Sequence, residues 1–202
     1  MQELWLIRHG ETDWNTEDRI VAATDLPLNA TGIEQARHVG ARLAELGTRF
    51  DTVYASDLAR ARVTAELAFP AATLRQDPRL RELDYGVFEG HRWDELDGSL
   101  AAAASHWRAD PYTRRAPGGE SYDDVIARFE AFRSELPPSG RCAVVSHGGT
   151  IRCVVYAAMG RPPRGSWGLE IANTAISRLR YRERTVRIVT LNDHAHLLDA
   201  PS

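Results

Sequence analysis

Short apolar runs alternate along the chain with longer stretches in which apolar residues return every three or four positions. The first pattern marks buried strands and the second amphipathic helices, and their alternation predicts an α/β fold with a largely parallel sheet. The first strand is read over about 3–8. A helix follows over about 31–46, where Thr31 and Glu34 have capping-box spacing and Ile33, Ala36, Val39, Leu43 and Leu46 fall on one face. A second strand covers 51–55 and a second helix 57–68. Residues 80–86 read as a short strand or extended segment. The stretch 91–115 is weakly patterned, with helix only around Ala101–Ala104.

After the loop at Pro117-Gly118-Gly119, Ser121 and Asp124 open a helix whose face is Val125, Phe129, Phe132 and Leu136. Pro137-Pro138 ends it. Cys142-Ala143-Val144-Val145 is a buried strand, and a helix follows it to about Met159. A β-hairpin of 176–181 and 185–191, turning at Arg182-Glu183-Arg184, closes the chain. No repeat, low-complexity tract or linker interrupts 1–202, so one domain is expected.

Composition narrows the chemistry. All 25 cationic residues are Arg, and Lys is absent. That excludes Schiff-base lysines, lysine general bases and phosphate-loop lysines. Arginine supplies a permanently charged planar fork for phosphate or carboxylate. The net charge of −3, with no basic stripe interleaved with aromatics, argues against nucleic acid as partner. No apolar run approaches the length of a membrane span. Two cysteines, Cys142 and Cys153, make no disulfide framework and read as small buried residues. A cytoplasmic protein is the expectation.

Two places share one form, an apolar strand ending in a polar His-Gly turn. They are Leu6-Ile7-Arg8-His9-Gly10-Glu11-Thr12 and Val144-Val145-Ser146-His147-Gly148-Gly149-Thr150. Ligands bind outside the carboxyl ends of parallel strands, so neighbouring strands here would bring both histidines to one crevice. The amides opening the helix after His147 are expected to form an anion site. A single strand-end His is more often structural; the case rests on the pair.

Arg8-His9-Gly10-Glu11-Thr12 with Trp14-Asn15 resembles the signature of the histidine phosphatase, or phosphoglycerate mutase-like, superfamily. Ser56 to Ala65, Arg81-Glu82-Leu83-Asp84-Tyr85-Gly86, Pro117 to Ser121 and Ser146 to Gly149 resemble its later motifs in order. The stretch Asn192 to Leu197 is similar to one near the end of its small phosphatase members. The resemblance implies a three-layer α/β/α fold and metal-independent chemistry without a cofactor. His9 is the implied nucleophile, and its other ring nitrogen should donate to a carbonyl. Arg8, Arg60 and His147 are the implied phosphoryl clamp, with Asn15 and amides near Gly10 and Gly148 as further donors. Glu82 is the implied proton donor to the leaving alcohol. Read by itself, Glu82 in Arg79-Leu80-Arg81-Glu82 is a surface ion pair, and helix spacing admits only one of Arg60 and Arg62 to the crevice.

The chain departs from the family pattern at Arg19 to Leu28, where Ala22 replaces the usual Gly. That loop, with Thr24, is assigned to the substrate side. The implied substrate is a small phosphorylated metabolite, and a homodimer is open as the assembly. A broad-specificity or α-ribazole-phosphate-like phosphatase is the favoured reading, because the 64 residues between Glu82 and His147 leave a short lid. A cofactor-dependent phosphoglycerate mutase is the alternative; Arg108, Arg114 and Arg115 in the lid then become a carboxylate site, or else a solvated charged face. An inactive binding module is disfavoured because nucleophile, arginines, acid and second histidine are all present. A metallophosphoesterase lacks an acidic cluster in the sequence, and His194-Ala195-His196 lacks an evident third ligand.

Overall fold

The computed structural model describes residues 1–162, 168–183 and 185–198. Its elements run β1 (Gln2–Arg8), α1 (Asp13–Thr16), α2 (Ala30–Glu45), β2 (Thr52–Ala55), α3 (Ala59–Ala68) and β3 (Leu74–Gln76). Then come α4 (Gly98–Ala109), α5 (Tyr122–Ser134), β4 (Gly140–Ser146), α6 (Gly148–Ala158), β5 (Ile176–Arg182) and β6 (Thr185–Asp193). The strands form one sheet in the order β3-β2-β4-β1-β5-β6. The first four run parallel, and β5 and β6 add antiparallel to one side. This is the α/β architecture the alternation predicts.

Successive residues of a strand face opposite sides, which divides the apolar residues of β1 and β4 between two layers. Leu4, Leu6, Cys142 and Val144 pack with Phe129 and Phe132 of α5 and Ile151, Val154 and Val155 of α6. On the other side Trp5, Ile7, Ala55 and Val145 pack with Val39 and Leu43 of α2 and Ala61, Ala65 and Ala68 of α3. Each large apolar side chain sealed this way contributes about 1.5–3 kcal/mol of transfer free energy. Helices therefore cover both faces, giving three layers.

Several local expectations are corrected. Helix α2 is capped by Asn29, whose side chain accepts from the Gly32 amide at 2.8 Å; Thr31 lies inside the first turn. Asn29 is held there by donating to Glu11 Oε1 at 2.9 Å, a tertiary contact invisible to helix periodicity. Helix α3 starts at Ala59 because Asp57 turns away to pair with Arg81. The short α1 and β3 leave no mark in the hydrophobic pattern. Residues 80–86 pair with no strand: the Asp84 amide donates to Glu120 Oε2 at 3.0 Å, and the Asp84 carbonyl accepts from the Glu120 amide at 2.8 Å. Ser121 and Asp124 do open α5, as a reciprocal capping box. The hairpin forms as β5 and β6; Arg184 of its expected turn lies outside the described residues.

The weakly patterned stretch contains α4 and forms a cap over the carboxyl end of the sheet. Its order comes from aromatic packing rather than periodicity. Trp93 and Trp107 stack at 5.8 Å with planes 2° apart, and Tyr85 meets both edge-on. Ile20, Leu83, Phe88, Val125 and Cys153 complete that cluster. Among the described residues no helix is long and apolar enough to cross a membrane.

Candidate active site

β1 lies directly beside β4, with Arg8 opposite Ser146. The next residue of each strand is a histidine, so His9 and His147 leave the sheet side by side. The His9 amide continues the ladder one step by donating to the Ser146 carbonyl at 2.9 Å. The two rings meet edge to face with centroids 5.1 Å apart, and both are sealed, with 3% and 0% of their surface exposed.

Hydrogen bonding fixes which nitrogen of each ring carries the proton. Nδ1 of His9 faces the Gly10 carbonyl at 2.6 Å, so it donates and Nε2 keeps its lone pair. Nδ1 of His147 accepts from Arg60 Nε at 3.2 Å, so His147 carries its proton on Nε2. Burial, and then the Arg60 and Arg8 charges, hold the His9 pKa well below the ordinary value. Burial and Arg60 do the same for His147. Both rings are neutral, one as a base and the other as a donor.

Nε2 of His147 and Nε of Arg8 are buried donors without a protein partner. A buried donor left unpaired costs roughly 1–3 kcal/mol, which an anionic ligand here would return. Arg8 is oriented by donating from Nη1 to the Ile171 carbonyl at 2.6 Å. Arg60 is fully buried, and its Nη atoms donate to the carbonyls of Thr24 and Ala22 at 2.8 and 2.9 Å. It lies behind His147 and ties down the Ala22–Thr24 loop. Arg62 turns outward to Glu66, as helix spacing requires.

Glu82 sits at the first turn of α6. Its Oε1 accepts from the amides of Leu83 and Thr150 at 2.7 and 2.9 Å, and Oε2 from Gly149 at 3.0 Å. The anion expected at this helix start is thus the protein's own carboxylate. Arg128 on α5 braces the segment beneath it, donating to the Arg79 and Glu82 carbonyls at 2.6 and 3.0 Å and pairing with Glu120. Neither the Glu82 seat nor Arg128 was legible in the sequence, because the partners lie far apart along the chain.

A cleft of about 380 Å³ opens here, lined by Arg8, His9, Asn15, Glu82, Gly148 and Gly149 among others; His147 and Arg60 are not part of this lining. Oδ1 of Asn15 accepts from Thr12 and from Asn173 Nδ2, which leaves the Asn15 amide NH₂ as its donor. Asn173, Tyr85, Trp93, Arg152 and Glu170 also line the cleft and were missed by sequence reasoning. The motif repeat that exposes His9 and His147 contains no counterpart for them.

Four expectations are corrected by placement. The Gly10 amide is spent on Thr64 Oγ1 at 3.0 Å, and its missing side chain admits the Gly32 backbone, where a Cβ would meet the carbonyl oxygen at 2.3 Å. Thr24 is not among the residues lining the cleft, and its amide donates to Glu89 Oε1 at 2.8 Å. Arg114 caps the His106 carbonyl at 2.9 Å, and Arg115 pairs with Asp124. Arg114 and Arg115 stand outside the cleft, because nearby acceptors claim them. His194 and His196, where no metal site was expected, stand at the start and in the middle of a 3₁₀ turn, and no group of three or more metal-ligating side chains exists among the described residues.

Residues 4–194 match the family described as "Histidine phosphatase superfamily (branch 1)". The chain is 38% identical to "Probable phosphoglycerate mutase GpmB" of Salmonella paratyphi C (strain RKS4594), over all of this chain and 97% of that one. Its structure resembles the α-ribazole phosphatase from Shigella flexneri (TM-score 0.81, 28% identity, 95% and 99% of the two chains). It also resembles phosphoserine phosphatase from Entamoeba histolytica in complex with 3-phosphoglyceric acid (TM-score 0.84, 26% identity, 98% and 100% covered).

Proposed function

The chain belongs to the histidine phosphatase superfamily and is a phosphatase-type enzyme, and from that premise we propose that it hydrolyses small phosphomonoesters through a phosphohistidine on His9. The observation that carries this reading is the tautomer of His9. Its Nδ1 proton is committed to the Gly10 carbonyl, so Nε2 presents a lone pair in a neutral, buried ring.

In the first step the Nε2 lone pair attacks phosphorus, and the bond from phosphorus to the alcohol oxygen breaks. Charge on the equatorial oxygens is met by Arg8 Nε and His147 Nε2, two buried donors beside His9 that lack a protein partner. Arg60 acts through His147, holding its proton on the nitrogen that faces the ligand. The Asn15 amide adds a donor. Glu82 enters this step protonated in the ester complex, gives that proton to the leaving oxygen, and as the carboxylate then takes one back from the water that cleaves the phosphohistidine. Its lodging on three backbone amides holds the carboxyl at a set position beside Gly149.

A phosphoglycerate mutase is the second reading, supported by the name of the Salmonella relative. One experiment separates the two. A phosphorus NMR time course in EDTA would contain 3-phosphoglycerate primed with 2,3-bisphosphoglycerate, and an aryl phosphate. Growth of inorganic phosphate without 2-phosphoglycerate supports the phosphatase; 2-phosphoglycerate appearing ahead of phosphate makes the enzyme a mutase. His9→Ala should abolish acid-labile phosphate labelling, and turnover surviving in that variant overturns the mechanism.

A further inference from the structure

The segment from Ile171 to Thr174 stands between the cleft and the 3₁₀ turn Ala195–Leu197. On the cleft side it holds three groups of the phosphoryl machinery. The Ile171 carbonyl accepts from Arg8 Nη1 at 2.6 Å. Nδ2 of Asn173 donates to the His9 carbonyl at 3.1 Å and to Asn15 Oδ1 at 3.3 Å. The Thr174 amide donates to the same His9 carbonyl at 3.3 Å. His9, Arg8 and Asn15 thus share one support.

That support is strained. Thr174 is fully buried with φ at 55°, in the left-handed region where a β-branched residue is an outlier. Such a conformation persists only where the surrounding contacts over-determine it. Here they come from the side away from the cleft. Oδ1 of Asn192 accepts from the Ala172 amide at 2.8 Å, and His196 Nε2 pairs with the Thr174 hydroxyl at 3.0 Å. Asn192 itself has φ at 53°, which Asn tolerates better than most residues. Its amide donates to Ser177 Oγ at 3.1 Å, and its carbonyl accepts from His194 Nδ1 at 2.9 Å, so its backbone is fixed. Neither Asn192 nor His196 lines the cleft.

We propose that Asn192 and His196 are positioning residues for phosphoryl transfer. They brace 171–174 in its strained form, and through it set the placement of Arg8, His9 and Asn15. This deepens the phosphomonoesterase reading and rests on it. Glu82 lies outside the brace, seated on the amides of Leu83, Gly149 and Thr150. Loosening the brace therefore weakens the hold on the transferring group and leaves protonation of the leaving oxygen alone. The loss is independent of the leaving group, the opposite of what removal of the Glu82 proton produces.

The test sets Asn192→Gly against Asn192→Asp, and His196→Ala against His196→Gln. Glycine keeps the positive φ at position 192 and removes the acceptor, whereas aspartate keeps both. Glutamine keeps a polar atom near the place of Nε2. The two truncations should each lose about ten-fold or more in kcat/KM, equally on alkyl and aryl phosphates, because small misplacements of reacting groups are costly. Inhibition by orthovanadate, a five-coordinate stand-in for the transferring phosphoryl group, should weaken by a similar factor. The two conservative variants should recover most of both. Rates are taken well below each variant's melting midpoint, so that loss of folded protein does not enter. The brace is overturned by wild-type rates or wild-type vanadate affinity in either truncation. A loss confined to alkyl phosphates, or conservative variants no better than the truncations, overturns it too. If the wild type releases phosphate from no ester, the phosphomonoesterase reading falls, and calorimetric titration of the same variants with orthovanadate still decides the brace. Absence of vanadate binding by the wild type overturns both. Should His196→Ala fail to fold, the Asn192 pair carries the decision.

Discussion

The Gly149 amide donates to Oε2 of Glu82 at 3.0 Å, and a methyl group on Gly149 would stand 2.6 Å from Oε1 of the same carboxylate. Glycine at this position therefore gives the carboxyl both a donor and the room to reach it. Tyr85 crowds the same space, its hydroxyl 3.0 Å from where that methyl group would lie.

Gly149→Ala should consequently displace Glu82 while leaving the fold intact, since Ala is the better helix former by about 1 kcal/mol. A shift of about 1 Å in a proton donor costs on the order of 100-fold in rate. The loss should be large on alkyl phosphates and small on activated aryl phosphates, whose leaving groups need little protonation. Glu82→Gln should show the same leaving-group dependence. Steady-state kinetics on a series of esters checks both, and an equal loss across the series would show that Glu82 is not the acid.

Acid should destabilise the protein through its buried imidazoles. The His9 and His147 pKa values lie well below their unfolded value of about 6.5, and that of His196 is lowered to about 4 by burial. Below about pH 6.5 the unfolded chain binds protons that these folded rings refuse, so stability is complete above that pH and falls as pH drops toward the folded values. Thermal melts between pH 7.5 and about pH 4.5 should show this decline. His147→Gln should flatten it; an unchanged slope would place the proton uptake elsewhere.

The cap should depend on Trp107, which is 4% exposed and touches Tyr85, Phe88, Trp93 and Tyr122. Trp107→Ala removes a large buried ring and should cost about 3–5 kcal/mol in denaturant unfolding, if the cap unfolds with the sheet. A two-step transition with little change in the main midpoint would show instead that the cap melts independently.

Much of this protein could be read from one dimension. Alternation in β1 and β4, three-to-four spacing in α2 and α5, and the repeated strand-His-Gly turn are local signals, because each records which face of one element is buried. They predicted the α/β fold and both histidines. Tertiary structure alone decided what the histidines do. Only the β1–β4 pairing puts His9 beside His147, and only the placement of α3 brings Arg60 to Nδ1 of His147. Glu82 reads as a surface ion pair until α6 supplies amides from more than sixty residues away. Arg114 and Arg115 looked available because their acceptors, His106 and Asp124, come together only in the folded cap. Whether a charge is paired depends on its neighbours in space, and a linear pattern records burial of a face but not the partner of a charge.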